Sequence, residues 1–277
     1  GEDSNNSTYG DDVPHRTDVQ NAITINEIMP NPAGSDGGKE WFEVYNGWFT
    51  PLHLGGWTLE GGTNTETHVV GSDVEIGIGD YRLFGQSADS ESNGGYEPDY
   101  AYGTTISLSN FGEALTIKDG SGTAMDAVEF DDTFPFSSAT SMELIRPDYD
   151  NSLAESWLAA GLSYGESGNM GTPGERNAAF SGTFVLASSA MDHGYVTEGT
   201  ESQLSFWIMN DGVADLVIDS MMNQTEYFML TPTDGVILPD DSVEVSITFA
   251  PEAVQTYLDT VLIFTDDPYN PLGAVSL

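Results

Sequence analysis

Oxygen-bearing side chains are grouped at three points of the sequence in a way that suits calcium chemistry. The groups are Asp148, Asp150 and Asn151; Asp131 and Asp132; and Asp266, Asp267 and Asn270. Calcium takes about six to eight oxygen ligands from carboxylates, carbonyls and water. No group follows the spacing of an EF-hand loop, so the sequence predicts a general calcium site at these residues and no particular coordination.

A second interpretation of the same residues stays open. Acid pairs are expected by chance in a chain with 45 Asp and Glu residues. Asp side chains also commonly cap backbone amides in turns, and Pro ends strand pairing nearby, as in the segment DDPYNP at 266–271. These carboxylates are therefore either cation ligands or turn residues.

Two adjacent aromatic residues, Trp48 and Phe49, stand in the turn-like segment NGWFTPLHL. An exposed pair of rings could stack on a sugar or dock on a neighbouring protein. Packing over the end of a β-sandwich is the alternative. The sequence thus predicts a ligand or partner contact at Trp48 and Phe49.

The residues needed for catalysis are sparse. The chain has no cysteine and four histidines, of which His53 and His68 are the plausible pair. No HExxH, GxSxG or P-loop pattern is present. The sequence therefore predicts a protein that is not an enzyme.

The formal net charge of −39 bears on the partners of the protein. Such a surface repels phosphate backbones, so nucleic-acid binding is not expected. Residues 179–277 contain 15 acidic residues and no lysine or arginine. No apolar run approaches the roughly 18 residues that span a bilayer, so membrane insertion is not expected either. The dense carboxylates are typical of a saline habitat.

The elements that position these residues are short apolar segments separated by Gly, Asn, Asp and Pro, a pattern typical of β-strands. Residues 85–104 look like a polar loop, and LAESWLAA (153–160) could form two helical turns at most. Val243, Val245, Ile247 and Phe249 alternate with polar residues, as in a half-buried strand. Residues 1–21 are polar and predict a flexible acidic leader. The fold class is all-β.

A series of motifs in residues 22–177 resembles the bacterial lamin-tail domain. In order they are INEIMPNP (25–32), KEWFEVYN (39–46), LGGWTLEG (54–61), the run 106–132, SMELIRPD (141–148), Trp157 and GTPGERN (171–177). The resemblance implies an immunoglobulin-like β-sandwich with no defined catalytic residues. In that family, Trp41, Trp57 and Trp157 fall at core positions.

Residues 178–277 resemble the abnormal-spindle/hydin-type immunoglobulin-like domain. The carrying motifs are NDGVADLVI (210–218), TPTDGVILPDDSVEVSITFAP (231–251) and FTDDPYNP (264–271). The chain is thus expected to hold two tandem immunoglobulin-like β-sandwiches. Its last predicted strand runs up to Leu277, so we expect it to be the front part of a longer polypeptide.

Both resemblances favour a non-enzymatic structural or adhesive protein, secreted or on the surface of a bacterium. It would build an extracellular assembly with other subunits or copies of itself, assisted by cations such as Ca²⁺. One alternative is an accessory or targeting region of a secreted nuclease or phosphatase whose catalytic domain follows Leu277. A third is a glycan-binding module that recognises polysaccharide through Trp48.

Overall fold

The computed structural model describes residues 23–62, 66–165 and 168–277. These residues fall into two compact units, the first ending at Phe180 and the second comprising Ser181–Leu277. The regular structure is almost entirely β, which confirms the all-β fold class. The predicted leader, residues 1–21, lies outside the described residues.

Within the described residues, the strands of the first unit form four sheets. A six-stranded sheet has the order β12-β11-β1-β2-β7-β8, a four-stranded sheet the order β10-β9-β4-β5, and two-stranded sheets join β3 to β6 and β13 to β14. The strands are β1 Ile23–Met29, β2 Trp41–Asn46, β3 Leu52–His53, β4 Thr58–Gly61, β5 Glu66–Val69, β6 Glu75–Ile76, β7 Tyr81–Gly85, β8 Tyr100–Ala101, β9 Glu113–Lys118, β10 Ala124–Phe130, β11 Met142–Leu144, β12 Trp157–Ala159, β13 Ser163–Tyr164 and β14 Asn169–Met170.

The central strands of the six-stranded sheet are buried on both faces. All seven residues of β1 are buried, as are five of the six in β2. One face carries apolar residues such as Ile25, Ile28 and Phe42. On the other face Met29 and Trp41 pack with Leu83, Tyr96 and Tyr164 in a second, smaller cluster. This second layer removes water from the face that a sandwich sheet usually exposes.

A β-bulge at Asn26 changes which side chains reach that second layer. The register of β1 against β2 passes from Ile25–Val44 to Glu27–Glu43, so Asn26 is the extra residue. An extra residue re-aims the side chains that follow it. Beyond the bulge Glu27 lies on the same face as Met29, while Ile28 returns to the inner face.

The segment LAESWLAA stays within the expected limit of two turns. It forms one 3-10 turn, Ala154–Ser156, followed at once by β12, because Trp157 is extended and pairs with Leu144. The expectation of a loop throughout residues 85–104 was wrong, because this stretch contains β8, which pairs in parallel with β7. Among the described residues, no helix is long and apolar enough to cross a membrane.

The second unit is a sandwich of two four-stranded sheets, with orders β15-β16-β20-β18 and β19-β17-β21-β22. In β20 the residues Val245, Ile247 and Phe249 are buried and Glu244 is exposed, which confirms the predicted alternation. The strands are β15 Phe184–Leu186, β16 Ser202–Asn210, β17 Leu216–Met222, β18 Phe228–Thr231, β19 Gly235–Ile237, β20 Ser242–Phe249, β21 Thr260–Thr265 and β22 Leu272–Ser276.

Candidate functional site

The first group of predicted calcium ligands is divided among separate partners. Asp148 accepts hydrogen bonds from the guanidinium of Arg146, at 3.0 Å from Nε to Oδ1. Asp150 accepts from the backbone N–H and hydroxyl of Ser152. The side chain of Asn151 is buried and donates to the backbone oxygen of Ile25, 3.1 Å away. The structure does not bring these three side chains together around one point.

The other two groups behave as turn residues. Asp131 Oδ1 accepts from the N–H and hydroxyl of Thr133, and these bonds lower the pKa of Asp131, while Asp132 next to it is exposed. Asp267 is buried and accepts the backbone N–H groups of Tyr269 and Asn270 at 2.8 and 3.1 Å.

Asp266 Oδ1 accepts the backbone N–H of Val217, at 2.8 Å. Across the described ranges, no three His, Asp or Glu side chains are grouped so that they could hold a metal ion. Calcium binding therefore stays a prediction.

The aromatic pair lies on a loop that is tied down. The Trp48 and Phe49 ring centroids are 4.4 Å apart, and 72% of Phe49 is exposed. Asn46, which is buried, donates from Nδ2 to the backbone oxygens of Thr50 and Ile76 and accepts the N–H of Trp48. The loop thus presents Phe49 to solvent on a fixed support.

The histidines are not joined in a common site. His53 Nδ1 lies 2.8 Å from Asp73, and both side chains are more than half exposed. His68 Nε2 lies 2.8 Å from the hydroxyl of Tyr100. Each ring therefore has its own local partner, the carboxylate of Asp73 for His53 and the hydroxyl of Tyr100 for His68.

Sequence reasoning missed a row of buried glutamates on the second-layer face of the six-stranded sheet. Glu27 on β1 is paired in register with Glu43 on β2 and with Glu143 on β11. All three are 1% exposed or less. We call these three residues the glutamate row. The sequence signal was a glutamate inside three apolar strands, in INEI, WFEV and SMEL.

The closing segment, residues 171–179, covers the glutamate row and is held by it. The hydroxyl of Thr172, in this segment, donates to Glu27 Oε2 at 2.9 Å. Each carboxyl accepts one backbone N–H of the segment: Thr172 to Glu27 at 2.9 Å, Gly174 to Glu43 at 2.6 Å, and Ala179 to Glu143 at 2.8 Å. The last of these bonds explains why the first unit extends to Phe180.

Two asparagines form further hydrogen bonds that hold the closing segment in place. Asn177 Nδ2 donates to the backbone oxygens of Asn26 and Leu144, at 2.7 and 3.0 Å. Its Oδ1 accepts from Asn26 Nδ2, which also donates to Glu43. The two backbone acceptors fix the orientation of the Asn177 amide. They thereby fix the orientation of the Asn26 amide as well.

Burial decides the protonation of the glutamate row. It raises the pKa of Glu27 to about 8, an effect that the neighbouring Glu143 adds to. Burial and then Glu27 raise the pKa of Glu43 well above its usual range, and burial raises the pKa of Glu143. A carboxyl in low dielectric beside other carboxyls favours its neutral form.

This chemistry is structural. A general acid or base must come within hydrogen-bond distance of its substrate, whereas the row is sealed beneath the closing segment. The row fixes the last segment of the first unit to its first strands. Phe49 of the aromatic pair, in contrast, is exposed at the surface and accessible to a partner.

Comparison with known proteins was made by sequence and by structure. Residues 16–132 match the family model of the Lamin Tail Domain, and residues 182–273 match that of the HYDIN/CFA65/VesB-like, Ig-like domain. No curated protein matches the chain. These two matches agree with the resemblances that the motifs carry.

Similar solved structures are distant. A protein of unknown function from Porphyromonas gingivalis W83 is 11% identical, with a TM-score of 0.34, and the match covers 92% of this chain and 96% of that one. The ASH/PapD-like domain 7 of human CEP192 is 14% identical, with a TM-score of 0.30 and coverages of 42% and 92%. The secreted serine protease VesC from Vibrio cholerae is 11% identical, with a TM-score of 0.25 and coverages of 82% and 45%.

Both family matches fall on β-sandwich units, and domains of these two kinds are typically non-catalytic. The first match ends at residue 132, while the unit that contains it runs on through the closing segment to Phe180. The chain therefore contains a lamin tail domain, matched over residues 16–132, followed by a HYDIN/CFA65/VesB-like, Ig-like domain, matched over residues 182–273.

Proposed function

We propose that this chain is a non-enzymatic interaction module of a secreted or surface-exposed bacterial protein, and that it builds an extracellular assembly through contacts of its β-sandwiches. The observation that carries the proposal is the exposed Phe49, whose ring contacts the tilted ring of Trp48 and which lies on a loop that Asn46 holds in place. A rigid, solvent-facing aromatic pair loses little conformational entropy on contact with a partner. Aromatic residues are also enriched in protein interfaces.

Charge sets the conditions for such contacts. Copies with a net charge of −39 repel one another at low ionic strength. Salt shortens the screening distance from about 30 Å at 0.01 M to about 3 Å at 1 M. We infer that salt or divalent cations favour assembly by screening the carboxylates. Once the repulsion between copies is screened, apolar contacts determine whether they associate.

Sedimentation in low and high salt tests this function. We expect monomers at low salt and larger species at high salt. Phe49→Ser should weaken association about tenfold, because a buried aromatic contact contributes on the order of 1.5 kcal/mol or more. Phe111, 86% exposed in the same unit, provides the matched control Phe111→Ser. Monomers at every salt concentration would contradict the assembly and favour an accessory region of a larger enzyme.

The same experiment tests whether calcium binds specifically or acts only by screening. At equal ionic strength, calcium that acts only by screening promotes assembly no more than another divalent cation such as magnesium. An added effect of calcium that Asp148→Asn removes would show that the predicted acidic group binds the ion. We expect screening alone, because Asp148 already holds Arg146.

A glycan-binding module is the second candidate, and the same aromatic pair favours it. Sugar rings present apolar faces that stack on exposed aromatic side chains. Titration with polysaccharide while tryptophan fluorescence is recorded distinguishes the two functions. A shift that Trp48→Ala abolishes would support glycan binding, and an unchanged spectrum would leave protein contact as the function.

A further inference from the structure

The immunoglobulin-like domain has a cavity at one end of its sandwich. The cavity is about 770 Å³ in volume and lies between the loops 190–198 and 251–258, beside the start of β18 and the end of β20. Ligand pockets in proteins commonly have volumes of about 300–1,000 Å³. The space is therefore large enough for one side chain of a partner together with its flanking backbone. We call it the end groove.

Aromatic rings line the end groove. Phe228 and Phe249 are stacked with their centroids 4.7 Å apart, and Tyr257 meets Phe249 edge-on at 5.3 Å. His193 lies 5.4 Å from the Phe249 ring. The wall is preformed, because the Tyr257 hydroxyl accepts the backbone N–H of Ala253 at 2.9 Å and so fixes the loop in front of it.

The rim of the end groove is apolar and open to solvent. Tyr195, Val254 and Leu258 line the groove, and all three side chains are almost wholly or largely exposed. Apolar groups that a fold places together at the surface commonly mark interaction sites. The rim therefore adds apolar contact area around the aromatic wall.

Charge selects the kind of partner. Asp192 and Glu198 also line the groove. The whole domain carries 15 acidic residues and no lysine or arginine with which to neutralise them. Cations bind over the faces of aromatic rings, with a gain of about 0.5–2 kcal/mol. Aromatic walls with acidic residues at the entrance thus suit a group that has an apolar stem and a cationic head.

We propose that the end groove binds an arginine or lysine side chain of a basic partner protein, with the stem against Phe249 and Tyr257 and the cationic head towards Asp192 and Glu198. This inference deepens the proposed interaction function and rests on it. It assigns a partner chemistry to a surface separate from the aromatic pair of the lamin tail domain.

His193 lines the end groove without offering a hydrogen bond to the partner. Its Nδ1 lies 3.1 Å from the hydroxyl of Ser202. Its Nε2 has no hydrogen-bond partner among the described residues, but the atom is closed off from solvent. Burial lowers the pKa of His193, so the ring is neutral near pH 7 and does not repel a cation. The cationic head is therefore expected at Asp192 and Glu198.

The test is a titration of the full chain with acetyl-Leu-Arg-Leu-amide, followed by amide chemical shifts. A matched peptide carries citrulline, which keeps the shape of arginine and lacks its charge. We expect shifts centred on residues 192–198 and 251–258, and at least fivefold weaker binding of the citrulline peptide. Equal binding of both peptides would overturn the cationic specificity, and shifts spread over the acidic surface would overturn the site.

Variants separate the groove from general charge attraction. Tyr195→Ser with Val254→Ser removes rim area and leaves the net charge unchanged, so at least a fivefold loss of affinity is expected. Val236→Ser, at an exposed position of β19, is the control and should bind as the parent does. Equal affinities of all three proteins would overturn the groove. Assembly that still depends on Phe49 would then leave the proposed function standing without this partner.

Discussion

Glu27→Gln is expected to stabilise the lamin tail domain at pH 8 and to leave its stability at pH 4 nearly unchanged. In the folded protein burial raises the pKa of Glu27 to about 8, whereas in the unfolded chain a glutamate titrates near about 4.3. The folded state therefore holds a proton between these values that the unfolded state has released. The stability that this proton provides is fully present below about pH 4.3 and is lost as the pH rises through about 8.

Glutamine resembles the protonated state because it is neutral. The Thr172 hydroxyl, which donates to Glu27 Oε2, can rotate to accept from an amide N–H in that place, because a hydroxyl both donates and accepts. Each pKa unit corresponds to about 1.4 kcal/mol, so we expect a gain of at least about 1 kcal/mol at pH 8. Glu40 and Glu113, whose pKa values burial raises to about 7, titrate in the same range. The stability of the Glu27→Gln variant should therefore depend less on pH than that of the parent, but the dependence should not disappear.

Hydrogen exchange of the β1 amides, measured by mass spectrometry, reports the stability of this domain separately from that of the immunoglobulin-like domain. The comparison variant is Glu27→Ala, which leaves the backbone N–H of Thr172 unpaired and a cavity behind. It should cost about 2 to 4 kcal/mol at pH 4 and less at pH 8, where the parent has itself lost stability. Equal destabilisation by the glutamine variant at pH 4 and pH 8 would show that the row is ionised in the folded protein.

Asn177→Ala should destabilise the same domain by about 3 kcal/mol at any pH between 5 and 8. The side chain is 3% exposed, and its removal leaves two buried backbone oxygens and the Asn26 amide without their partner. Each buried group left unpaired costs about 1–3 kcal/mol. Urea unfolding followed by hydrogen exchange should show the loss in β1 and β11.

The control for this substitution lies two residues away. Glu175 is exposed in the same closing segment, and Glu175→Ala should change the free energy of unfolding by less than about 0.5 kcal/mol. The exchange of β16 and β20, in the other domain, should be unaffected by either variant. A small effect of Asn177→Ala would mean that the closing segment is dispensable to the domain.

Alternation and turn residues were enough to predict the β fold. The pattern from Val243 to Phe249 specifies a strand with one buried face, and the structure has that strand. LAESWLAA forms less helix than the two turns that its sequence allows, because Trp157, at 2% exposure, is held extended by pairing with Leu144. Tertiary pairing outweighed local helix propensity there.

The glutamate row could not be predicted by the same reasoning. Alternation along INEIM places Glu27 on the inner face with Ile25, and only the bulge at Asn26 moves it to the other face. That face would expose glutamates to water in a simple sandwich. Its cover comes from residues 171–179, far away in the chain, and no local pattern reports such a contact. The exposure of Phe49 likewise depended on packing.

The closing segment also has a consequence for the order in which the domain matures. Its bond from Thr172 to Glu27 spans 145 positions of the chain. Contacts between such distant positions form late and slow folding. During synthesis, the first two strands emerge with their carboxyls uncovered and hydrated, and the second layer can cover them only after residue 179 has appeared. A chain truncated before this point leaves the glutamate row uncovered and charged. Proteolysis would therefore remove incomplete copies, whereas complete ones resist it.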